Sequence, residues 1–295
     1  AAGTDQLLKM YEEEQAEGMS AIFNTEEEAA AHAGCKPEEL VYGALGLLDQ
    51  STEEDPNKFR IIHDATKPGP NRKIKRRTRL KGQCPRSQDL AHAVAVMVKT
   101  KSRIVIRAAK IDAKKAHKRV RIKRKDWRYM AARIGKEQHK NQKFIVNMTG
   151  TYGVASMQFY WGRMAGLVNR CLLHADLARW SLVYVDDWLP LFEILPREPL
   201  WEQLGALLVF LIILGLPISW GKLAAGERLD WIGHFIDVET RRRSPTQSKS
   251  TTCAKFLTTI SDGELMDIDS LMKGVGLLRC VIEVLAWLTP FMQPL

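Results

Sequence analysis

Two adjacent aspartates, Asp186 and Asp187, sit between two apolar runs of β-forming residues. The run 180–185 predicts a strand, the pair falls at a turn, and the run 188–192 predicts the returning strand. Pro190 cannot donate to a ladder, so the second strand is expected at a sheet edge or a bulge. Neighbouring carboxylates repel, and aspartate is also an ordinary turn residue. The apolar flanks predict a buried hairpin rather than a polar loop tip. A divalent cation is a sufficient reason to hold two carboxylates there, because hard oxygen ligands suit Mg²⁺.

Charge is distributed unevenly along the 295 residues. Residues 1–55 hold 14 acidic and 2 basic side chains, while residues 72–133 hold 23 basic and 3 acidic ones. More than half of the 44 Lys and Arg therefore lie in about a fifth of the chain, which favours a polyanion partner, nucleic acid, over a merely solvated face. Five scattered cysteines without a Cys-x-x-Cys pair fit neither a disulfide framework nor a zinc site, and suit a reducing, intracellular compartment. The first residues do not form a signal peptide, so secretion is not expected. The apolar stretch 204–216 is 13 residues long, short of the roughly 20 that a spanning helix needs. It predicts a buried helix and no membrane role.

Along the chain, residues 6–34 read as helical, with Leu7, Leu8 and Tyr11 as a stripe. Thr25 and Glu28 form a capping box for a second helix, and Gly34 ends it. Residues 58–64 predict a strand carrying Arg60, which suits phosphate or is simply an exposed strand-end cation. Asn71 to Lys81 holds seven basic residues in eleven. Leu90, Val94, Met97 and Val98 predict a helix over 87–99, and alternation over 103–112 predicts a strand that delivers Asp112 at its end. Asp112 is a charge balancer or a metal ligand. Trp127 and Tyr129, among cations, suit base stacking, though Trp127 equally suits a core. A further strand is expected at 142–148. The turn 149–156 leads into a helix from Ser156 to about Arg179, with Met157, Tyr160, Met164, Leu167, Cys171, Leu172 and Ala175 as its stripe. Lys222 follows a glycine-flanked segment, 228–238 predicts a strand pair, 241–252 a basic linker, and 256–288 two or three short helices.

Six phrases stand in one order: Arg60–Asp64 (RIIHD), Asp112–His117 (DAKKAH), Thr151–Ser156 (TYGVAS), Tyr184–Asp187 (YVDD), Gly215–Trp220 (GLPISW) and Asp230–Gly233 (DWIG). This series resembles motifs of the reverse transcriptases over about residues 40–240, and is most similar to those of DIRS-type retroelements. The resemblance implies an α+β right-hand polymerase core. It would comprise fingers, an antiparallel-sheet palm with packed helices, and a partial helical thumb. The expected organisation is an acidic helical segment at 1–55, fingers and palm at 56–240, and a partial thumb at 241–295. The chain begins without Met and stops in mid-pattern, so a fragment is expected.

The implied activity is RNA-directed DNA synthesis from a primer 3′-hydroxyl. By resemblance, Asp112, Asp186 and Asp187 hold two Mg²⁺ ions, or Mn²⁺ in their place, and Lys222 protonates the leaving pyrophosphate. Arg60 contacts the triphosphate. Tyr152 and Gly153 lie under the nascent pair, and Tyr184 opens the Asp-Asp motif. The partners are an RNA or DNA template with its primer, and dNTPs. His117 stands where the family usually carries the aromatic that excludes a ribose 2′-hydroxyl, which leaves sugar choice open. Lys110 is an unusual flank for a buried strand, and the helix after TYGVAS lacks the family's common Pro. These departures support an alternative, a catalytically decayed remnant that only binds nucleic acid. A viral RNA polymerase fits less well, since Ala116 and His117 stand where that family has a second Asp.

Overall fold

The computed structural model describes residues 2–51, 58–66, 69–73, 84–100, 105–135, 142–195, 199–285 and 288–290. Its elements run α1 (Ala2–Ala16), β1 (Ser20–Phe23), α2 (Glu26–Ala33), β2 (Tyr42–Asp49), β3 (Phe59–Asp64), α3 (Ser87–Thr100) and β4 (Val105–Asp112). They continue with β5 (Ala131–Ile134), β6 (Lys143–Asn147), α4 (Met157–His174), β7 (Trp180–Tyr184), β8 (Asp187–Ile194) and α5 (Leu200–Ile213). The last are β9 (Ala224–Gly226), β10 (Arg228–Trp231), β11 (His234–Asp237), β12 (Arg242–Pro245), α6 (Gln247–Ser261) and α7 (Ile268–Ile282). Helices combine with mainly antiparallel sheets, so the class is α+β, as expected. The chain forms two compact units, one of Ala1–Gly82 with Lys115–Met164, the other of Gln83–Lys114 with Ala165–Leu295.

The first unit is built on a five-stranded sheet in the order β1-β6-β5-β2-β3. Its pairs are antiparallel except β2 with β5, which the sequence did not foretell. The stretch 1–55 is accordingly not helical throughout, since it supplies β1 and β2. α2 starts and stops as expected: Thr25 and Glu28 make the reciprocal cap, and Gly34 takes a left-handed φ of 71°. Ala29, Ala30 and Ala33 press α2 onto Phe144 and Val146 of β6. Tyr11 of α1 is buried against Ile61, Ala132, Ile134 and Ile145. Lys118 is 4% exposed and donates to Glu14 Oε2 at 2.7 Å and Asn147 Oδ1 at 3.2 Å, so a buried ion pair fixes α1. Trp127 is half-buried and packs against the core under α2: its ring stacks on His32 at 5.1 Å and its Nε1 donates to Ile122 O. Of the basic run at 71–81, residues 74–81 lie outside the described residues.

The second unit contains a four-stranded sheet, β7-β8-β4-β9, and a three-stranded sheet, β10-β11-β12. Leu90, Ala93, Val94 and Met97 of α3 pack with Ile106, Leu182, Leu189 and Leu191, and with Leu229, Trp231 and Ile236. β8 buries Trp188, Leu189, Leu191 and Phe192 completely. Each such side chain contributes about 1.5–3 kcal/mol, which anchors the strand that carries Asp187. Pro190 sits neither at an edge nor in a bulge. β8 lies between β7 and β4, and its register with β4 is the same on both sides of the proline: Ala108 pairs with Leu191 and Ile111 with Trp188. The ladder simply omits the two intervening pairs, and Pro190 still stands opposite Ser181 of β7.

Three helical expectations change. α4 ends at His174 rather than near Arg179, because Asp176 adopts φ 54° and Leu177 N–H returns to Leu172 O at 3.1 Å. Its buried face is Met157, Trp161, Ala165 and Leu172, while Tyr160, Met164 and Leu167 of the expected stripe are exposed. α5 buries only Leu207 and Leu211, one turn apart, and leaves Trp201 at 73% and Ile213 at 75% exposure. The unbroken apolar run over 204–214 concealed that one face alone is covered. The expected linker at 241–252 instead forms β12 and the first turns of α6, because Arg242–Pro245 find partners on β11. Among the described residues no helix is long and apolar enough to cross a membrane.

Candidate functional site

In the second unit, the hairpin β7–β8 turns through two residues, Val185 and Asp186. Val185 has φ 55° and Asp186 does not share the positive sign, a type II′ pattern in which glycine is the usual first residue. A β-branched residue there stores roughly 1–3 kcal/mol of strain, of the kind that collects at functional sites. Asp187 opens β8 and stands directly opposite Asp112, the last residue of β4. Residues opposed in this way hold their Cβ atoms about 4.5–5.5 Å apart.

Backbone bonds fasten the end of β4 on both sides. Ala113 N–H donates to Asp186 O at 2.9 Å, and Ser219 N–H donates to Asp112 O at 2.9 Å. Lys114 N–H donates to Pro217 O, and a short helical turn at Trp220–Lys222 then presents Lys222. Its Nζ lies 2.8 Å from Asp112 Oδ2. Asp112 is 5% exposed, whereas Lys222 reaches in from solvent. Asp186 and Asp187 are half-buried, and Tyr184 is exposed beside them.

The electrostatics follow from this crowding. Burial pushes the Asp187 carboxyl above its ordinary value of 3.8. The Lys110 charge opposes that rise, Asp186 and Asp112 add to it, and Lys222 opposes it again. The flank Lys110, odd for a buried strand, is therefore one of two cations that balance three carboxylates. Among the described residues, no three acidic, imidazole or thiol groups are drawn together closely enough to hold an ion as they stand. The donor set nevertheless has the right chemistry. Asp112 and Asp187 face each other at the ends of adjacent strands with Asp186 in the adjoining turn, burial and then the neighbouring carboxylates lift the Asp187 pKa, and hard oxygen donors are what Mg²⁺ and Mn²⁺ take.

The other expected residues gather in the first unit. Arg60, exposed on β3, places its guanidinium 4.9 Å from the centre of the Tyr152 ring. The His117 imidazole lies 4.9 Å from the same ring, tilted by 45°. Gly153 has φ 110°, and a Cβ there would strike His63 O, so only glycine fits. The chain reaches His117 through Lys115, itself at φ 55°. Arg60, His117, Tyr152 and Gly153 thus form one cluster; Asp112, Asp186, Asp187 and Lys222 form another, with Tyr184 at its rim. Sequence reasoning missed His63, Asn71 and Thr151, whose roles rest on hydrogen bonds between distant positions. His63 is fully buried, with Nδ1 3.1 Å from Thr151 Oγ1 and Nε2 3.2 Å from Ala131 O.

The chain matches no protein-family model and no curated protein sequence.

Proposed function

We propose that this chain is a template-directed nucleotidyltransferase, an RNA-directed DNA polymerase of reverse-transcriptase type. The observation that carries the reading is the pairing of Asp112 with Asp187 on adjacent strands, with Asp186 at the strained turn between β7 and β8. Asp112, Asp186 and Asp187 would hold two Mg²⁺ ions. When bound, such ions activate a primer 3′-hydroxyl and stabilise the pyrophosphate that leaves. Ion binding would favour the ionised Asp187 carboxylate, whose pKa is raised by burial first and by the charges of Asp186 and Asp112 after it. Lys222, which now pairs with Asp112, would be the ammonium placed to give its proton to the leaving pyrophosphate. In the first unit, Arg60 offers a bidentate donor for triphosphate oxygens, and its guanidinium lies over the Tyr152 ring. The basic stretch at 72–133 supports a nucleic-acid partner.

The Lys222–Asp112 ion pair also favours a second reading, a remnant that binds nucleic acid without synthesis, since an ammonium at 2.8 Å already neutralises one ligand. Incorporation of dTTP on a poly(rA)–oligo(dT) primer–template with Mg²⁺ separates the two. Polymerase activity that disappears in Asp186→Asn supports the first. Salt-sensitive binding of the duplex by a folded protein, with no synthesis, supports the second.

A further inference from the structure

The turn at 151–155 is held by two side chains that no motif assigns. His63 N–H donates to Tyr152 O at 3.0 Å, and its ring meets the Thr151 hydroxyl. Eight residues on, Asn71 spans the same turn from the other end. Its Nδ2 donates to Gly153 O at 2.9 Å, and its Oδ1 accepts from Ala155 N–H at 2.8 Å. Asn71 is itself set by its own N–H, which donates to Ala65 O at 2.9 Å.

The direction of one ring bond is fixed by chemistry. A carbonyl only accepts, so His63 Nε2 carries the proton that faces Ala131 O, and in the neutral ring Nδ1 is the acceptor for the Thr151 hydroxyl. The neutral ring is the form that burial favours, since it drives the pKa down to about 4. Gly153 closes the arrangement, because a Cβ at this position would strike His63 O. The His63 N–H, His63 Nδ1 and the Asn71 side-chain amide thus converge on the turn that carries the Tyr152 ring, against which Arg60 and His117 lie.

We propose that His63, Thr151 and Asn71 are positioning residues that latch the Tyr152 turn, and that the latch sets the affinity for the incoming nucleoside triphosphate. This rests on the reading of Arg60 and Tyr152 as a nucleotide-binding face. The latch touches no reacting atom, so it acts on binding and not on the chemical step.

The test uses Thr151→Val, which removes the hydroxyl but keeps the shape, Thr151→Ser, which keeps the hydroxyl, and Asn71→Ala at a half-buried position. Two readouts are taken: steady-state dTTP incorporation, and equilibrium binding of a fluorophore-labelled dTTP with Mg²⁺. Thermal melting checks that each variant folds. The expected result is an apparent KM and Kd raised about tenfold in Thr151→Val and Asn71→Ala, with kcat little changed, and recovery in Thr151→Ser. Wild-type affinity in both damaged variants, a fall in kcat alone, or failure of serine to restore binding would overturn it. A wild type that makes no DNA yet binds labelled dTTP, and loses binding in the two variants, sinks the polymerase reading and keeps the latch. A wild type that does not bind labelled dTTP sinks the latch itself.

Discussion

Lys222 Nζ lies 2.8 Å from Asp112 Oδ2, although the two residues are 110 positions apart. The contact is possible because the segment 217–219 hydrogen-bonds along the end of β4. It joins the one cation expected to act as an acid to the most buried of the three carboxylates. Lys222→Met leaves the carboxylates in place and removes the proton donor. Single-turnover incorporation should slow about 10²-fold with dNTP affinity nearly unchanged. An unaltered rate would assign Lys222 to charge balance alone.

The hairpin turn yields a stability prediction. Val185 is held at φ 55°, where glycine is at ease. Val185→Gly should raise stability by about 1 kcal/mol, despite the added freedom of the unfolded chain. Urea denaturation measures it. A loss of more than that amount would mean that the valine side chain contributes packing that outweighs the strain.

Asp187 and His63 should tilt the pH dependence of stability in opposite directions. The Asp187 carboxyl is raised, so the folded state holds its proton more tightly than the unfolded chain does. Its contribution is greatest below the ordinary 3.8 and is lost as pH rises through the elevated value. His63 is depressed from 6.5 to about 4, so its contribution is full above 6.5 and is lost as pH falls towards 4. Thermal melts across this range, with Asp187→Asn and His63→Gln beside the wild type, separate the two. Asp187→Asn should gain on the wild type as pH rises, and added Mg²⁺ should shrink that gain. His63→Gln should flatten the decline between 6.5 and 4.

The buried pair Lys118–Glu14 gives the sharpest test of the first unit. Both side chains are nearly inaccessible, at 4% and 10%. Burial lowers the Lys118 pKa, and the Glu14 charge works against that. Glu14→Leu alone strands an ammonium and should cost about 3–5 kcal/mol. Lys118→Met combined with Glu14→Leu should recover most of it. Chemical denaturation of the three variants decides. Additive losses in the double variant would show that the pair is not coupled.

Much of the site was legible because its signals are local. The alternation that ends in Asp112, the apolar flanks of Asp186 and Asp187, the strand that carries Arg60, and the pair β10–β11 all declare themselves within a few residues. So did the Thr25–Glu28 cap. What stayed hidden depends on partners far away in sequence. The parallel pairing of Tyr42 and Gly43 with Ala131 and Ala132 has no local signature. Arg242–Pro245 look like a linker until β11 supplies their ladder. Pro190 reads as an edge residue until constant register on both sides places it mid-sheet. The apolar run of α5 says that burial is favourable and not which face receives it. Asn71 and His63 reach the Tyr152 turn across 80 or more residues, through bonds that no spacing foretells.

The most direct measurement is single-nucleotide extension of a DNA primer on an RNA template of mixed sequence, with each of the four dNTPs supplied separately and Mg²⁺ present. The wild type should add only the nucleotide complementary to the template base, and Asp112→Asn should add none. Extension irrespective of the template base, activity retained in Asp112→Asn, or no extension by a folded, duplex-binding wild type would contradict the account.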